Sequence, residues 1–281
     1  FEPPFLAHHR LVLVVVVGDG VEPFVGDLPS TGTYTRGRGS WFHFDHPGVG
    51  FAIGGSPSIS GVDIKSIGTF RSQPPPNGGA YTPGAFDYDF SISEADVLLD
   101  DVMLLNPTNG INNTNAGDGR LRLRDVRGQP LSVGINVACS MDTGRLRDFH
   151  FWPFWSNDAG VRDYMRGYGK AVCIGRWDNP NIDGCFAIGY AYFVHVIQSA
   201  LGTLSKLAMS NCDADEGGFM LLIATGVNHA TVQMSNCRTL GQNQGNVTPN
   251  FSNVQVNGNG CHGVMTNMEM RYPQINCVRV Q

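Results

Sequence analysis

Apolar residues recur along this chain in the order apolar-x-apolar-x-x-apolar. The pattern is written at Val62/Ile64/Ile67, Val97/Leu99/Val102, Leu121/Leu123/Val126, Leu207/Met209/Cys212 and Val232/Met234/Cys237. A degenerate copy stands at Gly144/Leu146/Phe149 and another at Val254/Val256. The starts at 62, 97, 121, 144, 207, 232 and 254 are separated by 35, 24, 23, 63, 25 and 22 residues, so four of the six spacings fall within 22–25, and the two long gaps can hold a loop insertion and additional coils. Two copies share one phrase, "MSNC", at Met209–Cys212 and again at Met234–Cys237. A fixed period of this length announces stacked units rather than a globule.

Alternation over three residues predicts a strand with one face buried. The next two residues turn a corner, and the last apolar position begins another buried edge. A strand, a corner and a second strand every 22–25 residues match one coil of a parallel β-helix, in which each coil completes its core only against its neighbours. Asn211 and Asn236 fall at equivalent corners and are expected to form a ladder of side-chain amides. Leucine-rich repeats would add helical segments and a Leu/Asn consensus, and propeller blades would run to about 40 residues.

Composition points the same way. Only 15 % of residues are charged and glycine is the commonest residue, at 36. There are three lysines and five glutamates against nineteen aspartates, so helix formers are scarce and turn formers abundant. The expected class is all-β. A net charge of −5 argues against a general nucleic-acid partner. No apolar run approaches the ~20 residues of a membrane span; the longest, Leu11–Val17, reads as a buried strand, and no membrane insertion is expected. Seven widely spaced cysteines without a CxxC pair fit neither a disulfide framework nor a zinc site, and are expected to act mostly as small buried hydrophobes.

Two segments break the rhythm. Arg71–Asp89 contains four prolines and predicts a loop projecting from the stack. Asp148–Gly184 carries three of the four tryptophans among arginines, aspartates and tyrosines, and predicts a second, functional loop. The domain reading is therefore an N-terminal strand or cap region over 1–29 and a parallel β-helix over 30–281, with loops at about 71–89 and 148–184.

Gly128-Gln129-Pro130-Leu131, the Gly134-Ile135 strand, the Asp142-Thr143-Gly144-Arg145 turn and the aromatic run His150–Trp155 together resemble the pectate-lyase-like superfamily of right-handed parallel β-helices. That superfamily includes polysaccharide-degrading enzymes and bacteriophage tailspikes. The resemblance covers roughly residues 30–281 and implies a right-handed parallel β-helix solenoid. It departs at the N-terminus, where Gly18-Asp19-Gly20 is present without an amphipathic helix after it, so the cap is missing or different. The implied function is a tailspike-like receptor-binding protein that binds and depolymerises a bacterial surface polysaccharide, by hydrolysis or elimination. Such a protein is a homotrimer with no cofactor, in contact with other phage tail proteins, in the virion tail or outside the cell. A secreted carbohydrate-active enzyme and a non-catalytic adhesive spike are the alternatives on the same scaffold.

Glycan cleavage needs two carboxylates, or a base beside a cation. The candidates are Asp142, Arg145, Asp148 and His150 at the turn into the aromatic run; Asp213, Asp215 and Glu216 after the asparagine corner; and Asp158, Arg176 and Asp178 in the second loop. Asp213 and Asp215 should point to one side of an extended segment. Against each stands the ordinary role of Asp as a turn cap. For substrate binding the candidates are Trp152, Trp155, Trp177, Tyr164, Arg176 and Asp178, with Trp155 and Trp177 expected to face solvent more than Trp152. No metal site is expected; His43–His46 is read as a strand turning at Pro47. No G-x-S-x-G, P-loop or HExxH is present.

Overall fold

The structure is a computed structural model, and it describes residues 14–18, 39–114, 120–141, 143–241, 253–271 and 277–280. Asp142 lies outside the described residues. The chain winds as a right-handed parallel β-helix, with every strand pairing between coils parallel.

Each coil lays a strand on three faces in turn. Face I holds Val14–Val17, 62–65, 97–100, 121–124, Arg145–Arg147, Asn181–Asp183, Lys206–Ser210, Thr231–Ser235 and His262–Thr266. Face II follows directly, with Ser40–Phe44, 67–71, 102–104, 126–128, His150–Phe151, Phe186–Ile188, Asp213–Gly217, Arg238–Gly241 and Glu269–Arg271. Face III carries the strands that lead into the next coil, among them Asn109–Thr114, Val133–Ser140, Lys170–Trp177, Tyr192–Val196 and Phe219–Ile223.

The repeated apolar triplet is the core. In the five full copies all fifteen side chains are at most 4 % exposed. The corner between faces I and II is the same in eight successive coils. Ser66, Asp101, Asp125, Asp148, Gly184, Asn211, Asn236 and Asn267 occupy it in register, all with φ between 49 and 65°. Left-handed backbone costs an ordinary L-residue about 1–2 kcal/mol, and Gly, Asn and Asp tolerate it best. The expected amide ladder is there: Asn236 donates to Asn211 Oδ1 at 3.4 Å, Asn267 donates to Asn236 Oδ1 at 2.6 Å, and Asn211 donates to Asp183 Oδ1 at 2.9 Å.

Three expectations are corrected. Most of Asp148–Gly184 belongs to the stack, because Val172, Ile174, Trp177 and Ile182 are fully buried inward positions of one more coil. Only the stretch from Trp152 to Gly169 is an insertion, and it includes the helix α1, Ala159–Tyr168. Val254–Val256 lies on face III, and the face I strand of that coil is His262–Thr266. Finally, the proline-rich loop folds back onto the insertion: Gly78 N donates to Asp158 Oδ2 at 2.8 Å, and Tyr81 packs on Trp155 with centroids 6.1 Å apart. At the loop's base Arg71 is buried with Asp89, Nε to Oδ1 2.7 Å.

Gly144 takes an inward position because Trp177 fills the space. A Cβ there would meet Trp177 Cζ2 at 2.1 Å, and Trp177 is fully buried. Gly144→Val is therefore expected to destabilise the fold by roughly 1–3 kcal/mol through overpacking, measured as a lowered urea midpoint.

His195, on face III, stacks on Tyr192 with centroids 4.6 Å apart. Burial first, and the Lys170 charge second, push its imidazole down from the usual 6.5 to about 4. Folding thus favours the neutral ring, and the unfolded chain takes up the proton first as pH falls. Stability should drop as pH falls from about 6.5 to about 4 and level off below, and His195→Gln should flatten that slope in urea titrations.

Candidate functional site

Alternation on face II decides which side chains reach solvent. Phe151, Ala187, Ala214 and Thr239 point inward and are buried, so their neighbours point out. One outward row runs His150, Phe186, Asp213, Arg238, Glu269 across successive coils. A second runs Ile188, Asp215, Leu240, Arg271, with Trp152 standing at its start, just beyond His150–Phe151.

The first coils of these rows are aromatic. His150 meets Trp152, Phe154 and Phe186 edge-on, with centroids 6.0, 5.5 and 5.2 Å away, and Trp152 lies 6.1 Å from Phe186. Trp152 is 38 % exposed, so this cluster presents a ring to solvent. Burial, helped by the Arg127 charge, holds the His150 imidazole below its ordinary value.

The later coils are charged. Asp213 and Asp215 point outward from one strand, as alternation predicted. Arg238 Nη2 donates to Asp213 Oδ2 at 2.7 Å. Asp215, Arg238, Glu269 and Arg271 line a cavity of about 240 Å3 with it. Desolvation raises the Asp215 pKa, and the carboxylates of Glu216 and Asp213 add to the rise, opposed by the Glu216 N–H that donates to Asp215 Oδ1 at 2.8 Å. Glu216 itself adopts φ 47° and accepts from Arg166.

The insertion forms a wall beside this face. Asp158 caps α1, accepting from Gly160 N at 2.8 Å and Val161 N at 3.4 Å. Gln129, fully buried, holds the approach to the helix: its Oε1 accepts from Trp155 N and Ser156 N, both at 2.8 Å, and its Nε2 donates to the Ser156 carbonyl at 2.7 Å. Arg162 and Arg166 of α1, Trp152, Asn157, Ile188 and Glu216 then enclose a cavity of about 190 Å3 at the junction of the aromatic and charged rows.

The structure therefore brings together His150, Trp152, Asp213, Asp215 and Glu216 on one face. It separates others. Arg145 stands exposed on face I, across the Asp148 corner from His150. Arg176 pairs with Asp178 at 3.7 Å at the end of a face III strand. Tyr164 bonds Ser132 at 2.8 Å and packs on Tyr168. The expected exposure of the tryptophans is reversed: Trp177 is 0 % and Trp155 4 % exposed, because one fills the core at Gly144 and the other is clamped under the Tyr81 loop. Asp158 is a helix cap, the ordinary role for such a residue. His43 bonds Ser72 at 2.7 Å and stacks on Phe70, and among the described residues no group of three or more His, Cys, Asp or Glu is placed to hold a metal ion. Phe186 and Gln129 were absent from the sequence-derived candidates. Phe186 was legible only as the outward neighbour of Ala187, and Gln129 carried no signal beyond its place in Gly128–Leu131.

Comparisons with family models, with curated proteins and with solved structures gave no match to the chain. The class of protein shown is a parallel β-helix with an aromatic and charged face.

The contrast between the tryptophans is testable. Trp155→Ala should cost about 3–5 kcal/mol of stability, the usual range for emptying a buried aromatic site. Trp152→Ala should change it by no more than about 0.5–1 kcal/mol, as expected of a half-exposed side chain. Chemical denaturation of the two variants distinguishes core from platform.

Proposed function

We propose that the protein binds a bacterial surface polysaccharide along face II and cleaves it there, as a tailspike-like, homotrimeric protein of a virion tail or extracellular setting, resembling the pectate-lyase-like superfamily. The observation that carries the reading is the continuity of the aromatic cluster with the carboxylate and arginine rows. An exposed Trp152 ring suits the apolar face of a sugar, and the polar groups around it suit the hydroxyls.

The carboxylates divide the work by environment. Asp215, with its raised pKa, donates the proton to the leaving oxygen, as general acids in glycoside cleavage do. Asp213, two residues away on the same side and accepting a hydrogen bond from Arg238, activates water. Both carboxylates stand on the same outward side of one strand and line one cavity, as a paired-carboxylate mechanism requires. Glu216 positions the Arg166 guanidinium over the cavity. A second reading, an adhesive spike that binds without cleaving, draws on one observation: Asp213 and Glu216 are both already engaged by arginines.

Incubation with capsular and O-antigen glycans, with products read by mass spectrometry, tests the proposal. Cleavage is expected, with Asp215→Asn lowering turnover by about 100-fold or more and Trp152→Ala weakening binding with less effect on turnover. Activity should fall as pH rises through the raised Asp215 pKa, because the acid then loses its proton. Binding without products across the panel would favour the adhesive spike; neither binding nor products would remove the reading.

A further inference from the structure

The ion pairs on the outside of the helix follow a rule. Across neighbouring coils, outward charges alternate in sign: Lys65, Asp100 and Arg124 succeed one another on face I, and Asp213, Arg238 and Glu269 on face II. Opposite charges on adjacent strands attract, and like charges directly opposite destabilise. Even the corner aspartates Asp101 and Asp125 are bridged by Arg127.

Face I breaks the rule at one place. Arg122 pairs in register with Arg145, and Arg124 with Arg147, on strands about 4.8 Å apart. All four side chains are outward and exposed, and Arg120 stands at the edge of the block. Three of the five have acidic partners: Arg120 with Asp96 at 3.1 Å, Arg124 with Asp100, and Arg147 with Asp183 at 3.7 Å. Arg122 and Arg145 enter no ion pair among the described residues; their outward neighbours along the row are Leu98 on one side and Asn181 on the other. In a protein of net charge −5, this is a local concentration of positive charge that the fold does not use. Local choices that oppose stability gather at functional sites.

We propose that the Arg122/Arg145 pair on face I is a binding site for an acidic polysaccharide, the two guanidiniums gripping one carboxylate or sulfate substituent between them. Planar guanidiniums bind such oxyanions bidentately. The flanking acids choose the occupant. Asp96 and Asp100 bound the block on one side and Asp183 on the other, so the free positive charge spans only the two central coils. That suits a glycan with spaced acidic groups and opposes the dense phosphates of a nucleic acid. The outward positions around it, Leu98, Asn181 and Ala208, also offer no aromatic ring for a base to stack on. The site is independent of face II and stands whether or not face II cleaves a glycan.

Calorimetric titration of the full chain with hyaluronan oligosaccharides, which carry one carboxylate on every second sugar, with neutral dextran and with oligo(dT) tests this. Hyaluronan should bind, more weakly as salt rises from about 50 to about 200 mM, and neutral dextran should not bind through these arginines. Arg122→Gln and Arg145→Gln should each weaken hyaluronan binding about tenfold, as loss of one charge-assisted contact does. Lys206→Gln, which removes a face I charge outside the block, should stay within about twofold. Because each arginine variant relieves repulsion, its melting temperature should hold or rise. Parent-like affinity in both arginine variants, tighter binding of oligo(dT) than of hyaluronan, or a marked fall in melting temperature would each overturn the proposal.

Discussion

Everything in this molecule depends on one backbone event per coil: a single residue in left-handed conformation between faces I and II. It turns the chain within one residue, so the third apolar position of each triplet re-enters the core immediately after the second. Stacked in register, the eight corners keep the two strands around them at fixed phase from coil to coil. Alternation does the rest. Once the inward residues are set, the outward rows of both faces follow, and with them the aromatic and charged rows of face II and the arginine block of face I.

The corner also explains the residues that occupy it. Asn, Asp and Gly tolerate positive φ, and Asn has the further use that its amide can both donate and accept along the stack. The chain begins the column with Ser66 and three aspartates, passes through Gly184, and ends with three asparagines. The aspartate part is bridged by arginine, and the asparagine part is self-bonded. Two solutions to the same steric demand thus share one column.

Much of this was legible in the sequence because the triplet and the corner are written in letters. Leu207/Met209 followed by Asn211 and Cys212, then Val232/Met234 followed by Asn236 and Cys237, is a strand, a left-handed turn and a core position spelled twice. The coil at Asn181–Ile188 falls in the long gap that has room for additional coils, but its own position is hidden for a physical reason. Its corner is Gly184 rather than Asn, its first inward position is proline, and the neighbouring Trp177 and Asp178 look like loop chemistry. Trp177 serves the core only because Gly144, 33 residues earlier, leaves it space, and no local pattern connects the two. The candidate site was half legible for the same reason. Asp213 and Asp215 sat in a readable strand, whereas Phe186 and the α1 arginines join them only through stacking and through a helix held in place by Gln129 and Asp158.

The three corners of each coil are not equally free to change. From Ser66 onward the left-handed one is a single residue in each described coil, whereas the turn from face II to face III ranges from one residue, between Gly217 and Phe219, to the eighteen that carry α1 between Phe151 and Lys170. New material entering there shifts no inward position and breaks no rung, since strand phase is reset at the next left-handed residue. The turn from face III to face I varies as well, from three residues between Trp177 and Asn181 to nine between Val196 and Lys206. A lineage built on this scaffold can exchange whole segments at two edges while the third keeps its length, so diversity should concentrate along two seams and spare the left-handed one.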